Sequence, residues 1–175
     1  MFYALILDAN GNGIGSNKYY QNQEPSYPSN EFPCTEAQAQ NPTAYQVVNG
    51  KIVESLTAAQ TAQIALLQSA FQKAEQAPVS LTLASGVTTS FGMTPHDWTK
   101  IVGLYSKYVV KGDPIPSNYP LPDVNMVLRT VTKTDIDNLF EAGKSQIDGA
   151  VVKLASLVAQ VQSATTVSAV QAIVW

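Results

Sequence analysis

His96 and Asp97 are the one adjacent histidine–carboxylate pair in this 175-residue chain, and His96 is its only histidine. Such a pair supports nucleophilic catalysis when a serine or cysteine reaches the imidazole and backbone amides await the oxyanion. The local sequence gives both residues a simpler task. In Thr94-Pro95-His96-Asp97 a threonine stands ready as N-cap and a proline suits the first helical position. A carboxylate follows at the positive end of the helix dipole. Helix initiation accounts for Asp97, and His96 falls at an ordinary exposed helix start.

Metal and cofactor chemistry find less support. His96 and the lone cysteine, Cys34, are far apart and supply no soft-ligand cluster. A single cysteine also excludes an internal disulfide. Asp8, Asn10 and Asn12 alternate like the start of a calcium loop, but the bidentate glutamate position is taken by Tyr19. Gly11, Gly13 and Gly15 lack the dinucleotide spacing, and a polar segment follows them instead of a helix. Asp135, Asp137 and Glu141 gather at a predicted helix start, where the dipole explains them. Glycosidase-type carboxylates need a defined separation across a cleft. Tyr19, Tyr20, Tyr27 and Tyr45 have the chemistry of a sugar-binding surface, although tyrosines near hairpins more often pack. The chain therefore reads as a non-enzyme with no cofactor and no metal.

Composition narrows the partners. Charged residues make up 13%, about half the roughly 25% of ordinary soluble domains. Serine, threonine, glutamine and asparagine take their place, a surface suited to protein contacts and assembly. The net charge is −3, with ten lysines and arginines spread thinly. No basic stripe for phosphate contacts results, which argues against nucleic-acid binding. The apolar N-terminus lacks a basic start and reaches Asp8 too soon for a signal peptide. Other apolar runs stop well short of the roughly 18 residues of a membrane span. The expectation is a soluble protein without membrane contact.

The elements that position these residues read as α+β. Residues 1–54 form an N-terminal β-hairpin region. Phe2 to Asp8 and Ile14 to Tyr20 are strands about the Asn10–Gly13 turn. Residues 21–34 are an irregular, proline-punctuated connection. A brief helix capped by Thr35 follows, and then a hairpin, Tyr45 to Glu54, turned by Asn49-Gly50. Residues 55–78 are a connecting helix with Ile64, Leu67 and Phe71 along a narrow stripe. Residues 79–175 form a C-terminal α+β domain. It begins with a hairpin, 79–91, turned at Ser85-Gly86, and a helix, 94–111, ended by Gly112. A proline-rich loop at 113–123 and a strand, Asn125 to Val131, come next. A long helix, Thr134 to Ser163, and a short terminal helix ending on a docked Trp175 complete it.

The long helix carries Ile136, Phe140, Gly143, Ile147, Ala150, Leu154, Leu157 and Val161 in steps of four and three. That 3.5-residue seam marks a helix lying along a partner, and an intrachain core can share it. Thr134 and Asp137 have capping-box spacing. With the stripe of the connecting helix, the seam from Phe140 to Val161 is the candidate partner interface. Small Gly143 and Ala150 suit close helix packing.

The stretch Ala77-Pro78-Val79-Ser80-Leu81-Thr82 leads into a short hairpin, and Thr94-Pro95 opens a helix. A Thr-Lys-Thr-Asp helix start and the ending Ala164-Thr165-Thr166-Val167-Ser168-Ala169-Val170-Gln171-Ala172-Ile173-Val174-Trp175 come after them. With these features, Gln72 to Trp175 resembles a domain of unknown function found towards the C-termini of phage and prophage tail-fibre-related proteins. The N-terminal half, with its Asn49-Gly50 turn, is more loosely similar to openings of small tail-fibre and fibre-assembly proteins. The resemblance implies a structural component of the virion tail, in or beside a fibre or baseplate, made in the bacterial host cytoplasm. Its implied partners are other tail proteins, with self-association or attachment to a trimeric fibre. The alternatives are a fibre-assembly chaperone and, behind it, a glycan-binding or glycan-cleaving tail protein. The family brings no catalytic residues.

Overall fold

The computed structural model describes residues 1–20 and 25–175. Part of the proline-punctuated connection, residues 21–24, lies outside the described residues. The architecture is α+β, with short antiparallel strands and two long helices. It divides into two compact units, one of Met1–Leu67 with Leu157–Val174, the other of Gln68–Ser156 with Trp175. Both long helices contribute residues to both units.

In the first unit, β1 (Phe2–Leu7) is the centre of a three-stranded sheet between β2 (Gly13–Tyr19) and β3 (Glu31–Cys34). Ala4 and Leu5 are fully buried on it. β3 corrects the expectation of an irregular segment up to residue 34. An edge strand leaves one row of its backbone groups unpaired, so Pro33 is tolerated opposite Ala4. The Asp8–Asn12 stretch is a turn device. The Asp8 carboxylate accepts from the amides of Asn10 and Asn12 at 2.8 and 2.9 Å and from the Asn12 side chain at 2.9 Å. Those bonds, that of the Asn12 side chain first, hold the Asp8 carboxyl below its ordinary range.

Thr35 caps α1 (Glu36–Gln40) through a reciprocal box with Gln38. The hairpin of β4 (Tyr45–Val48) and β5 (Lys51–Glu54) turns on Asn49 and Gly50, both at positive φ, as a type I′ turn requires. The adjoining 3-10 turn, Pro42–Ala44, lies so close to β2 that a Cβ on Gly13 would collide with the Pro42 carbonyl. α2 (Leu56–Glu75) starts at Ser55, whose hydroxyl accepts from the Ala58 amide. The end of α4 (Lys133–Ser163) and α5 (Val167–Gln171) close this unit, with Leu67, Val161 and Val170 buried. Gln60 of α2 ties them together: its amide donates to the carbonyls of Val161 at 3.1 Å and Ala164 at 3.3 Å. Carbonyls in the last turn of a helix have no intrahelical donor.

The second unit packs two hairpins and α3 (Pro95–Leu104) on α4 up to Ser156, around Val79, Phe91, Met93, Ile101, Leu121, Val131, Ile136 and Leu139. β6 (Val79–Thr82) pairs with β7 (Thr88–Phe91), and β8 (Pro120–Pro122) with β9 (Leu128–Thr130). β8 is a strand inside the segment expected to be a proline-rich loop. In an isolated two-stranded ribbon both strands are edges, so its prolines do little harm. The strand expected from Asn125 shrinks to 128–130 because residues 124–127 form the turn. The helix expected over 94–111 is α-helical only to Leu104. It widens into a π-helical turn, Tyr105–Val110, before Gly112 at φ 76°. That turn directs Tyr105 onto Phe140 and buries Tyr108.

The capping box of α4 is Thr132–Asp135, two residues before the expected Thr134–Asp137. Asp135 accepts from the Thr132 amide at 2.8 Å and hydroxyl at 2.7 Å. Both pairs have the same spacing; what selects Asp135 is its second oxygen, which accepts from the Ala84 amide in the β6–β7 loop at 2.7 Å. Gln146 of α4 donates to the carbonyls of Ala74 at 3.0 Å and Ala77 at 2.7 Å, closing the end of α2. Trp175 meets Phe71 edge-on, and Lys153 lies over its ring at 4.8 Å. Among the described residues no helix is long and apolar enough to cross a membrane.

Candidate interaction site

The tip of the β8–β9 hairpin combines a buried charge with an apolar surface. Asp123 is 3% exposed. Its Oδ1 accepts from the amides of Asn125 at 2.9 Å and Val127 at 3.0 Å. Its Oδ2 accepts from the Thr89 hydroxyl and from Arg129 Nε, each at 2.9 Å. Burial alone would raise this carboxyl. The bonds from Val127, Thr89, Arg129 and Asn125 outweigh it and bring the carboxyl down to about 2. The Val124 amide also donates to Ser90 of β7 at 3.0 Å, pinning the tip to the neighbouring hairpin.

Outside this anchor the tip is apolar apart from exposed Asn125. Met126 is 80% exposed and Leu128 66%, flanked by exposed Val124 and Val127. Met126 sits at φ 60°, a left-handed conformation that costs a non-glycine residue about 1 kcal/mol or more. A saturated carboxylate thus holds a strained turn whose outward face is hydrophobic. An ordinary hairpin turn shows mainly glycine and asparagine to water; here Asn125 is accompanied by four exposed apolar side chains.

A small apolar cleft of about 240 Å³ lies elsewhere in the same unit, walled by Met93, Pro95, Trp98 and Ile147 with Glu75 and Gln76 at its rim. Gln146 positions that rim by its bonds to the end of α2. Phe140 stacks on both Trp98 and Tyr105, fixing the wall. Gly143 lets α4 approach: a Cβ there would meet Met93 and come within 2.7 Å of Trp98.

The residues read from the sequence as a partner interface are buried or half-buried in the single chain. On α2, Leu67 is buried and Ile64 and Phe71 are half-buried. On α4, Gly143, Ala150 and Val161 are buried, and Phe140, Ile147, Leu154 and Leu157 are half-buried. The apolar surface open to a partner includes the tip, a stretch that reads as strand in the sequence. The signal it carries is Asp123-Val-Asn-Met-Val-Leu-Arg129, in which four of five residues between the ion-pair partners are apolar, without strand alternation.

His96 is exposed, and the Asp97 carboxylate is taken up by the Thr94 hydroxyl at 2.6 Å. Thr94 also accepts from the Asp97 amide, so this is a helix cap. Burial pushes the Cys34 thiol up from its ordinary value, away from the reactive thiolate. Among the described residues no three His, Cys, Asp or Glu side chains gather as metal ligands. In the first unit an open cleft of about 380 Å³ runs past Tyr45, Glu54 and Ser55 over the alanines of α2. Among the described residues Glu54 is the one carboxylate lining it. No family model, curated protein or solved structure matches the chain.

Proposed function

We propose that this chain is a structural, non-enzymatic assembly protein of a bacteriophage tail, a fibre- or baseplate-associated component that binds other tail proteins. The observation that carries the assembly half is the Asp123-anchored tip, where a buried carboxylate network rigidifies a turn that displays Val124, Met126, Val127 and Leu128. A turn with only a connecting role gains nothing from exposed apolar side chains and backbone strain. A contact surface gains on both counts, because rigidity lowers the ordering cost of binding. The tail assignment rests on the resemblance of Gln72–Trp175 and on the uncharged polar composition. It is tested by mass spectrometry of purified particles of a phage encoding the chain. A component is recovered at a fixed ratio to known tail proteins. Abundance in infected cells with absence from particles refutes the structural role and selects the assembly chaperone.

A further inference from the structure

We infer that Asn49 is a site of spontaneous covalent modification: its side chain closes on the Gly50 nitrogen, and the β4–β5 turn converts to isoaspartate as the protein ages. The inference is independent of the tail assignment.

The chain carries three Asn-Gly steps, Asn10-Gly11, Asn12-Gly13 and Asn49-Gly50. Asparagine cyclises most readily before glycine, which places no side chain beside the attacking nitrogen. The glycine nitrogen gives up its proton and bonds to the asparagine Cγ. The bond from Cγ to the side-chain nitrogen breaks, and that nitrogen leaves as ammonia. Water then opens the succinimide ring at either carbonyl. Opening at the main-chain carbonyl leaves isoaspartate; opening at the side-chain carbonyl leaves aspartate. Water is the only co-reactant.

The structure separates the three steps. At Asn10-Gly11 the nucleophile is engaged, because the Gly11 amide donates to the Asp8 carbonyl at 3.1 Å. Gly11 also accepts from the Val47 amide at 2.8 Å, and a Cβ on it would lie 2.9 Å from the Val47 carbonyl oxygen. At Asn12-Gly13 the leaving amide is engaged: it donates to Asp8 Oδ2 at 2.9 Å, and Gly13 is buried in β2. Both steps belong to the turn of a three-stranded sheet that buries Ala4 and Leu5. Asn49 and Gly50 are both exposed, and a Cβ on Gly50 would meet nothing within 4 Å. Among the described residues neither the Asn49 side chain nor the Gly50 amide has a hydrogen-bond partner.

A type I′ turn holds the Asn49 side chain away from the Gly50 nitrogen, so closure waits for the turn to open. Here opening costs little. β4 and β5 form a sheet of two strands, four residues each, and such a ribbon is marginally stable by itself. Its root is tied down by the Val47 amide on Gly11 and the Ser55 amide on the Ala44 carbonyl, both at 2.8 Å. Its tip, from Val48 to Lys51, is exposed, and exposed loop tips open with little free energy. Isoaspartate makes the change permanent. Its Cβ joins the main chain, so a two-residue loop gains a backbone atom and no longer fits the Val48–Lys51 pairing.

The test is a time course on the purified full-length chain at physiological temperature and mildly alkaline pH, once folded and once in guanidinium chloride. Peptide mass spectrometry follows each asparagine by the mass gained when NH2 becomes OH, and electron-transfer fragmentation separates isoaspartate from aspartate. In guanidinium chloride the three sites are expected to convert at similar rates. In the folded chain Asn49 is expected to convert several-fold faster than Asn10 or Asn12. Hydrogen exchange of the β4 and β5 amides should then be faster in aged than in fresh protein. The β6–β7 hairpin, whose Ser85-Gly86 turn has no side-chain amide to lose, should not change. Asn49→Gly keeps a sequence that a type I′ turn accepts and should abolish the loosening. Conversion of Asn10 or Asn12 in the folded chain as fast as Asn49 overturns the inference. So does an Asn49 that stays intact in the folded chain while the unfolded chain converts, a ranking already present in guanidinium chloride, or equal loosening of β4–β5 in aged Asn49→Gly.

Discussion

Alanine at Gly143 and alanine at Gly149 should move stability in opposite directions, although both glycines lie inside α4. Gly149 is exposed, and a Cβ there meets nothing within 4 Å. Its replacement gains only the backbone entropy that glycine forfeits in a helix, about 0.5–1 kcal/mol. Gly143→Ala gains the same amount but adds a steric contact. Its Cβ would sit 2.7 Å from Trp98 Cζ3 and against the Met93 methyl. Methionine can swing aside. Trp98 is held by stacking on Phe140, with ring centroids 5.5 Å apart and planes 11° from parallel. Overpacking of this kind costs about 1–3 kcal/mol.

The propensity gain cancels between the two variants, so their difference isolates the contact, about 1–3 kcal/mol in favour of Gly149→Ala. At about 2–4 °C per kcal/mol for a chain of this length, the melting temperatures should separate by several degrees. Trp98 and Trp175 both belong to the second unit, so tryptophan fluorescence during urea unfolding follows the region concerned. Equal stabilisation by the two alanines would refute the close approach of α4 to Trp98, and with it the fixed wall of the cleft.

Asp123 has its carboxyl depressed to about 2 from an ordinary 3.8, so its stabilisation of the tip is complete above the ordinary value and is lost as pH falls toward 2. The protection factors of the Asn125 and Val127 amides, taken relative to the intrinsic exchange rate at each pH, should fall across that window, and Asp123→Asn should weaken their protection already at neutral pH and flatten the acid response. Leu67→Ala, at a position 1% exposed, should cost about 2–5 kcal/mol in denaturant unfolding, while Leu66→Ala next to it, 63% exposed, should stay within about 0.5 kcal/mol. Gln146→Leu removes the donor to Ala74 and Ala77 and should cost about 1–2 kcal/mol in the same unfolding assay; Gln146→Glu should cost more, because a carboxylate faces the same carbonyls and cannot donate.

What the sequence discloses is what is local. Asn49-Gly50, Thr94-Pro95, Thr35 and Gly112 each determine a turn or cap within four residues, and each does so in the structure. The α+β class follows from them together with the helical spacings. β3 and β8 are hidden by Pro33, Pro120 and Pro122, because a strand tolerates proline only at an edge, and edge position is a tertiary fact. The start of α4 is ambiguous in the sequence for a related reason. Thr132–Asp135 and Thr134–Asp137 share one spacing, and the Ala84 amide, 51 residues away, decides between them. The tip escapes a sequence reading because Asp123 resembles any turn aspartate until Thr89 and Arg129 are seen on its second oxygen.

The 3.5-residue seam of α4 also changes meaning when its neighbours are known. A seam says that one face is covered, and Gly143 beneath Trp98 shows that part of the cover comes from the same chain. The uncharged polar surface needs the same revision. Gln60, Gln63 and Gln146 are half-buried, and their amides donate to the carbonyls of Val161, Ile173 and Ala77 at 3.1, 2.5 and 2.7 Å. Lysine could reach a terminal carbonyl too, but half-buried it would lose part of its hydration. Glutamine brings two N–H donors and no charge. The glutamines that make the composition look like an assembly surface are therefore partly internal caps, and their abundance is weaker support for partners than it looks. The geometry of the β8–β9 tip carries the proposed assembly reading independently of composition: it keeps a buried carboxylate and a strained methionine while leaving its apolar side chains in water.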